Sequence, residues 1–421
     1  MTAKKSKRIF ISDIHMGDSR SVEKSSGNPY VYGWFADKEG DNQNRPKMLA
    51  DFLENHVIND AAVDELVILG DLFDEWVCPA NFDPLESPST SQLEAIANAK
   101  QNVDVFQRLK TLAKSGKLLY VTGNHDMLST EAKSQEIIKS IMPGIRYIGD
   151  KGLGTYRTDD GIIVQHGHKY CLFNAPWVDV SGTGFDASML PMGFDLARLD
   201  AQFVAQKGYG YNFWALLWDA IQKEFFKEGL ELGLFSVVEK HEDFSKKIAE
   251  IIDKVIIDLF NIFHSDKIYE NQTGIVYGGL DDVPGTVPWE AIDKRYSAIF
   301  SQWEKFHPEN VSALQAIVND MGHLESGAKY LMKHQDNCKI VIFGHTHIWK
   351  FKTLQVDNPD FDEDCKPTAH QIYANTGTWI NSKPCTFVQT EFDGKTHSVS
   401  VWKYENNEPQ PLPNSSGSVE I

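Results

Sequence analysis

Short clusters of aspartate, asparagine and histidine recur along this sequence, each after a run of apolar residues. Such oxygen and nitrogen donors suit borderline divalent cations, and carboxylates are costly to bury unless a cation compensates them. Five such clusters in one chain predict a two-metal hydrolase. In chain order, the motifs are Asp13-x-His15, Gly70-Asp71-x-x-Asp74, Gly123-Asn124-His125-Asp126, His166-Gly167-His168 and Gly344-His345-Thr346-His347.

The spacing within the first three motifs indicates what several side chains could do. Asp13 and His15 are two residues apart at a strand end, so their side chains point to the same side and can hold one ion together. The carboxylate of Asp71 has two oxygens, which suit a bridge between two cations about 3.5–4 Å apart. Asn124 offers a neutral amide oxygen, and His125 beside it can donate a proton to a departing oxygen.

The motifs follow predicted strands that alternate with predicted helices. This order implies parallel strands joined by crossover helices, an α/β arrangement in which sites collect at the carboxyl ends of strands. The strands predicted before the motifs are Ile9 to Ser12, Leu66 to Gly70, Leu118 to Gly123, Ile162 to Gln165 and Ile340 to Phe343. The predicted helices are Lys47 to Ile58, Gln92 to Ala113 and Glu131 to Ile141.

Residues 171–338 differ from the rest because long amphipathic patterns replace the short strands. Apolar residues occupy one helical face over Ile248 to Ile262, and the spacing repeats over Ile292 to Phe306. Ser312-x-x-Gln315 is typical of a capping box that opens a further helix. We therefore predict a mainly helical insertion or cap at residues 171–338.

This insertion is predicted to interrupt a core formed by residues 1–170 and 339–404. After the last motif the sequence carries only strand signals, which predict an antiparallel finish. The strands predicted there are Gln371 to Ala374, Thr386 to Glu391 and His397 to Tyr404. Residues 405–421 are rich in Pro, Asn and Ser and predict a flexible C-terminal tail.

The net charge of −18 over 421 residues and the scattered cysteines restrict the class of protein. The negative charge would repel a polyanion over most of the surface, which disfavours extended binding of nucleic acid. The five cysteines never form a Cys-x-x-Cys pair, which argues against a zinc ribbon or a disulfide framework and favours a cytoplasmic location. No apolar run is long enough for a signal-peptide core or for the about 20 residues of a transmembrane segment.

The order of the five motifs resembles the signature of the calcineurin-like metallophosphoesterase superfamily. That signature is D-x-H, G-D-x-x-D, G-N-H-D/E, a later His and G-H-T/S-H, and every part is present across residues 9–169 and 339–404. The resemblance implies a β-sandwich of two sheets flanked by helices, a fold classed as α/β or α+β. It also implies that Asn375-Thr376-Gly377-Thr378-Trp379 closes the site.

The same resemblance implies two divalent metal ions as cofactors. One ion would be held by Asp13, His15, Asp71 and His347, and the other by Asp71, Asn124, His166 and His345. Manganese is the expected metal, and such ligands also accept Fe, Zn or Co. Two cations lower the pKa of a bridging water, supply hydroxide near neutral pH and neutralise a phosphoryl group attacked in line. We expect hydrolysis of a phosphomonoester, phosphodiester or pyrophosphate in a phosphorylated small molecule or nucleotide.

Four residues beside the ligands are candidates for supporting roles. His125 is the candidate catalytic acid for the leaving group, with Asp74 or Asp126 orienting it. Either carboxylate could instead belong to a helix start. His168 would either contact substrate or complete a surface turn.

The motifs leave the substrate open. Glu75 stands where protein serine/threonine phosphatases carry arginine, which argues against that branch. The segments Ile9 to His15 and Leu69 to Trp76 are similar to bacterial UDP-2,3-diacylglucosamine pyrophosphatases, so a lipid-linked nucleotide is an alternative substrate. His125 departs from that comparison, because those enzymes have arginine there. An alternative of another class is a non-catalytic scaffold that uses the helical insertion to bind a partner.

Overall fold

The computed structural model has a strand before each of the five polar motifs, as predicted. It describes residues 6–18, 44–76, 88–176, 190–191, 193–194, 197, 274–276, 286–288, 303, 311, 313–320, 322–355, 370–380 and 384–421. The described strands form a seven-stranded sheet, a five-stranded sheet and a two-stranded ribbon.

The seven-stranded sheet has a parallel half and an antiparallel half. Its strands are β1 (Ser6–Ile11), β2 (Val63–Leu69), β3 (Leu118–Val121), β4 (Arg146–Ile148), β12 (Cys385–Phe392), β13 (Thr396–Glu405) and β14 (Glu408–Glu420). They lie in the order β14-β13-β12-β1-β2-β3-β4. β1 to β4 run parallel, and β12 and β13 add the predicted antiparallel finish beside β1, which β14 extends. The third strand predicted for that finish, Gln371 to Ala374, lies instead in the five-stranded sheet, where it pairs parallel with Ile340–Phe343.

The five-stranded sheet carries the histidine motifs. Its strands are β5 (Thr155–Arg157), β6 (Ile162–Gln165), β9 (Ile340–Phe343), β10 (Lys350–Leu354) and β11 (Gln371–Asn375). They lie in the order β10-β11-β9-β6-β5, with a parallel centre of β11, β9 and β6. The ribbon pairs β7 (Gly274–Val276) with β8 (Thr286–Pro288).

Successive residues of β1 belong to two different cores. Ile9 and Ile11 pack in the core between the larger sheet and its helices, whereas Phe10 lies in the core that also includes Val164 and Ile342 of the smaller sheet. A strand that is buried on both faces is a continuous run of apolar residues, and such runs made these strands predictable from the sequence. The two-sheet sandwich flanked by helices is confirmed.

The described helices are α1 (Arg45–Phe52), α2 (Pro88–Asn98), α3 (Val103–Lys114), α4 (Ala132–Ile141), α5 (Ala313–Asp320) and α6 (Glu325–His334). The first predicted helix ends in a π-helical segment, Leu53–Ile58. The second is divided into α2 and α3 because the Asn102 side-chain amide donates to the carbonyl of Ile96 at 2.9 Å and that of Gly17 at 3.0 Å. These bonds satisfy the carbonyl at the end of α2 and break the helix there.

The C-terminal residues form a strand, so the prediction of a flexible tail at residues 405–421 is wrong. β14 pairs antiparallel with β13, from Glu405 opposite Glu408 to Thr396 opposite Glu420. Asn406 and Asn407 both have positive φ, 55° and 63°, as a two-residue hairpin turn requires. The prolines of β14 are tolerated because β14 is an edge strand. Their nitrogens, which carry no N–H, can face solvent instead of a neighbouring strand.

Most of the predicted insertion lies outside the described residues. This includes the patterns of Ile248 to Ile262 and, apart from Trp303, of Ile292 to Phe306. α5 begins next to the predicted capping box. Besides helices, this part of the chain contains the β7–β8 ribbon, which a helical insertion does not anticipate. Within the ranges that the structure describes, no helix has both the length and the apolar character needed to cross a membrane.

Asp160, in the turn between β5 and β6, ties the two sheets together at the end of the sandwich away from the motifs. Arg8 on β1 donates through Nη1 to Asp160 Oδ2 at 2.7 Å, and His397 Nε2 on β13 is 3.4 Å from the same oxygen. Burial would raise the pKa of Asp160, but hydrogen bonds from His397, Thr158 and Arg8 outweigh it and hold the pKa well below its usual range.

We expect Asp160→Asn to lower the free energy of unfolding by about 1 kcal/mol at pH 7, since a partly exposed ion pair is screened by solvent. Because the folded pKa is depressed, the stabilisation is present above the unfolded pKa of about 4 and is lost as pH falls below it. Urea unfolding at pH 7 and pH 3 measures this, with exposed Asp159→Asn as the control. If Asp160→Asn lowered the free energy of unfolding by as much at pH 3 as at pH 7, this role of Asp160 would be contradicted.

Candidate metal centre

Motif residues from both sheets meet at the carboxyl ends of their strands. Asp13 follows β1 and Asp71 follows β2, and the His15 N–H donates to the Asp71 carbonyl oxygen at 2.8 Å. In the smaller sheet, the Gly344 N–H after β9 donates to the His166 carbonyl oxygen after β6 at 2.9 Å. These backbone bonds join neighbouring motif loops within each sheet, so the polar side chains collect at one end of the sandwich.

Five of the predicted ligands have a backbone conformation that L-residues rarely adopt. Their φ values are 53° for Asp13, 49° for His15, 53° for Asp71, 70° for His345 and 55° for His347. Each such conformation costs about 1–3 kcal/mol and persists only where the surroundings impose it. The concentration of this strain on the motif residues indicates a functional site.

Gly70 allows three motif loops to approach one another. Its φ is 85°, and a Cβ added to it would lie 2.5 Å from Gly123 Cα and 2.6 Å from His166 Nδ1. A side chain here would therefore push the second, third and fourth motifs apart.

We expect Gly70→Ala to lower the free energy of unfolding by about 2–5 kcal/mol and to abolish metal binding, because strain and overpacking act together. Gly116→Ala is a matched control, since Gly116 has a φ of 73° but no atom within 4 Å of the added Cβ. Thermal unfolding and manganese titration of both variants give the comparison. Equal losses in the two variants would show that the loop contacts are unimportant.

One group of ligands forms around Asp13. His347 Nε2 is 3.2 Å from Asp13 Oδ1 and 3.0 Å from His15 Nε2. His15 Nε2 is in turn 3.6 Å from Asp71 Oδ2. The donor atoms of Asp13, His15 and His347 all lie within 4.8 Å of one another, so they could hold one cation.

A second group forms on the other side of Asp71. His166 Nε2 is 3.1 Å from Asp71 Oδ2 and 3.0 Å from Asn124 Oδ1. His166 Nδ1 donates to the Leu69 carbonyl oxygen at 2.6 Å, which leaves a lone pair on Nε2 in the neutral ring. Asp71 Oδ2 therefore lies within reach of both His15 and His166, where a bridging ligand would be.

The chemistry of this donor set fits divalent cations. Asp13 Oδ1 is buried and faces two ring nitrogens, His347 Nε2 at 3.2 Å and His166 Nε2 at 4.0 Å. Burial would raise the pKa of Asp13, but His347 and His166 lower it to about 2. Burial would lower the pKa of His166, but Asp71 and Asp13 raise it to about 9. Positive charge is therefore strongly favoured among these oxygens, and carboxylate, amide and imidazole are suitable ligands.

His345 lies beside these groups and belongs to neither. Its ring centroid is 5.2 Å from that of His166, and its nitrogen lies within 4.8 Å of donor atoms of Cys171 and Asp320. Burial, together with the charges of His166 and His168, holds the pKa of His345 well below its usual range. The neutral ring favoured here keeps a lone pair for a cation.

Asp74 contacts two of the motif histidines. Its Oδ2 is 3.2 Å from His15 Nδ1, and its Oδ1 is 3.1 Å from His125 Nδ1. Burial would raise the pKa of Asp74, but His125 and His15 lower it below its usual range. A carboxylate that accepts from Nδ1 fixes the ring and turns Nε2 towards the centre.

Trp76 supports the face of His125, a role that the sequence did not suggest. The ring centroids are 4.3 Å apart and the planes are 27° apart, so the rings stack. Trp76 is fully buried. Its position two residues after Asp74 was the available signal, and an apolar-core role was the simpler interpretation of such a residue.

Asp126 holds the backbone of two motifs instead of the His125 ring. Its Oδ1 accepts from the Gly123 N–H at 2.6 Å, and its Oδ2 accepts from the Leu72 N–H at 2.8 Å and from the Tyr120 hydroxyl. Burial and the charge of Asp71 raise the pKa of Asp126 to about 6. Of the two predicted orienting residues, Asp74 therefore has the geometry for that role.

His168 is buried, so the alternative of a surface turn is wrong. Its Nε2 donates to the Gly152 carbonyl oxygen at 2.6 Å, and its ring centroid is 6.3 Å from that of His345. Burial, with the charge of His166, lowers the pKa of His168 to about 3. His168 is therefore a buried, neutral ring that packs beside His166 and His345.

The segment predicted to close the site contacts Asp13, the first of the predicted ligands. The Thr378 hydroxyl and the Trp379 N–H donate to the Asp13 carbonyl oxygen at 2.8 and 3.2 Å. The Asn375 side-chain amide donates to the Gly344 carbonyl oxygen at 2.6 Å. The segment therefore holds the loops of the first and last motifs together.

Residues 6–214 match the family model described as Calcineurin-like phosphoesterase. This range includes the first four motifs. A search of curated proteins found no match.

Several solved structures share limited similarity with this chain. Vacuolar Protein Sorting 29 from Cryptosporidium parvum is 17% identical over 24% of this chain and 46% of its own length, with a TM-score of 0.16. A conserved uncharacterized protein, a predicted phosphoesterase from Streptococcus pneumoniae TIGR4, is 10% identical over 99% of this chain and 98% of its own, with a TM-score of 0.28. The calcineurin-like phosphoesterase YfkN from Bacillus subtilis is 10% identical over 99% and 91%, with a TM-score of 0.28. TM-scores this low carry no functional argument.

Proposed function

We propose that this chain, whose residues 6–214 belong to the calcineurin-like phosphoesterase family, hydrolyses phosphoric esters with two divalent metal ions. The observation that carries the proposal is the position of Asp71 Oδ2, which is 3.6 Å from His15 Nε2 and 3.1 Å from His166 Nε2. A carboxylate between two groups of ligands is suited to bridge a pair of metal ions.

The first ion would be held by Asp13, His15, Asp71 and His347, and the second by Asp71, Asn124, His166 and His345. The convergence of Asp13, His15 and His347 supports the first set. The approach of His166 Nε2 to Asn124 Oδ1 and Asp71 Oδ2 supports the second. When bound, two such ions supply a nucleophile at neutral pH and neutralise the phosphoryl oxygens. We propose manganese, and the same donors accept Fe, Zn or Co.

His125 would donate a proton to the leaving-group oxygen. Its side chain is 12% exposed, so a substrate can reach it, while Asp74 holds its Nδ1. Burial would lower the pKa of His125, but Asp74 and Asp71 outweigh burial and raise it. The protonated ring that an acid needs is therefore favoured near neutral pH.

The substrate class would be a phosphorylated small molecule or nucleotide. The net charge of −18 disfavours an extended nucleic acid. Cys171 and Cys338 are free thiols, which supports a reducing, cytoplasmic location. The lipid-linked nucleotide remains an alternative substrate of the same chemistry.

A substrate panel after metal reconstitution tests this function. Purified protein is stripped of metal, supplied with Mn²⁺ and offered p-nitrophenyl phosphate, bis-p-nitrophenyl phosphate, nucleotide diphosphate sugars, UDP-2,3-diacylglucosamine and cyclic nucleotides. We expect at least one of them to be hydrolysed, with loss of the activity in a chelator. Absence of both metal binding and hydrolysis would contradict the proposal and favour a non-catalytic scaffold.

A further inference from the structure

A chain of hydrogen bonds leads from the predicted ligand Asn124 to helix α5, far along the sequence. The Asn124 side-chain amide donates through Nδ2 to Asn174 Oδ1 at 3.4 Å. The Asn174 amide donates through Nδ2 to Asp320 Oδ1 at 3.1 Å. Asp320 Oδ2 accepts from the Phe173 N–H at 3.1 Å. Both oxygens of the last carboxylate therefore face donors.

These hydrogen bonds all donate in one direction, from Asn124 towards Asp320, because each amide has one donor end and one acceptor end. A carboxylate can only accept, so Asp320 fixes the NH₂ group of Asn174 towards itself. The oxygen of Asn174 then faces Asn124 and holds the NH₂ group of that residue. The oxygen of Asn124 is left facing His166 Nε2 at 3.0 Å, the orientation that a metal ligand requires.

The burial of these side chains leaves few alternatives to this orientation. Asn124 is 2% exposed and Asn174 is 9% exposed, so water cannot readily replace a lost partner. Helix α5 is fixed beside them, because the Leu172 N–H donates to the Ala316 carbonyl oxygen at 3.3 Å. Burial raises the pKa of Asp320 to about 7, whereas the bonds from Phe173 and Asn174 favour its ionised form.

We infer that Asp320 is a positioning residue that sets the side-chain orientation of Asn124 through Asn174. The inference rests on the proposed two-metal function. Asn174 and Asp320 lie 146 residues apart, both within the predicted insertion. The inference therefore makes residues of that insertion part of the metal centre.

Calorimetric titration with Mn²⁺ at pH 8 tests this role in the full chain. We expect the wild type to bind two ions and Asp320→Asn to bind one of them about 10–100-fold more weakly, as removal of an outer partner of a ligand does. Asn174→Ala interrupts this series of hydrogen bonds but leaves the hydrogen bond from the Phe173 N–H to Asp320. It should weaken Mn²⁺ binding to the same extent. Exposed Asp336→Asn is the control for removing a carboxylate elsewhere on the protein.

A double-variant cycle separates positioning from helix packing. Asn124→Asp has no NH₂ group to orient, so adding Asp320→Asn to it should weaken Mn²⁺ binding no further. Unchanged binding in both Asp320→Asn and Asn174→Ala, or full additivity in the cycle, would overturn the inference while leaving the proposed function intact. A wild type that binds no Mn²⁺ would overturn both. If Asp320→Asn fails to fold, Asn174→Ala decides the question alone.

Discussion

Replacing Asp71 by asparagine is expected to lower phosphoesterase activity by about 10³-fold or more. If the amide oxygen stays with the His125 N–H, an uncharged NH₂ group takes the position of Oδ2, and no acceptor lies between the two groups of ligands. Loss of about 4 kcal/mol of transition-state stabilisation corresponds to that factor. The variant should still fold, because the oxygen that accepts from the His125 N–H at 2.9 Å can be retained.

The measurement is kcat/KM for p-nitrophenyl phosphate or bis-p-nitrophenyl phosphate with saturating Mn²⁺. Asp104→Asn is the matched control, since the Asp104 side chain is 74% exposed on α3. Thermal unfolding confirms that both variants are folded. If Asp71→Asn kept more than a tenth of the activity and bound two ions, the bridging role would be wrong.

His125→Asn is expected to lower kcat in a way that depends on the leaving group. For phenyl phosphate, whose phenolate departs poorly without a proton, we expect a loss of about 10²–10⁴-fold. For p-nitrophenyl phosphate the loss should be much smaller, because p-nitrophenolate needs little protonation. Metal binding should persist, since Asp71 still receives the backbone N–H of residue 125.

The comparison of the two esters distinguishes acid catalysis from general damage to the site. His370→Asn removes an exposed imidazole and serves as the control. Metal content is measured in each preparation. Equal losses for the two esters would mean that residue 125 acts in binding or folding and not as the acid.

The convergence of the candidate metal ligands could be predicted because the sequence signals at each motif agree with one another. Asp13, Asp71 and Asn124 each follow an apolar run that the structure buries as a strand. Strands joined by crossover helices bring their carboxyl ends to one edge, so the order of the motifs already places these side chains together.

The C-terminal strand could not be predicted from composition alone. Prolines and asparagines near the end of the chain are typical of disordered tails, and the prediction followed that rule. In the structure, Asn406 and Asn407 supply the positive φ values of a tight turn, and β14 lies at the edge of the sheet. Asparagine is also typical of tight hairpin turns, and proline is also tolerated in edge strands, so the same residue types are compatible with the observed hairpin.

The outer partners of the ligands could not be predicted because they depend on contacts between distant parts of the chain. Asn124 meets Asn174 across 50 residues, and Asn174 meets Asp320 across 146. No periodicity joins such positions. Trp76 was visible beside a motif, but only packing reveals that its ring stacks on His125.

The most direct test of the two-metal centre is anomalous diffraction from crystals of the full chain grown with Mn²⁺, recorded at the manganese edge. We expect two anomalous peaks about 3.5–4 Å apart, with the carboxylate of Asp71 between them. One peak should lie beside Asp13, His15 and His347, and the other beside Asn124 and His166. A single peak, or none among these residues, would contradict the account.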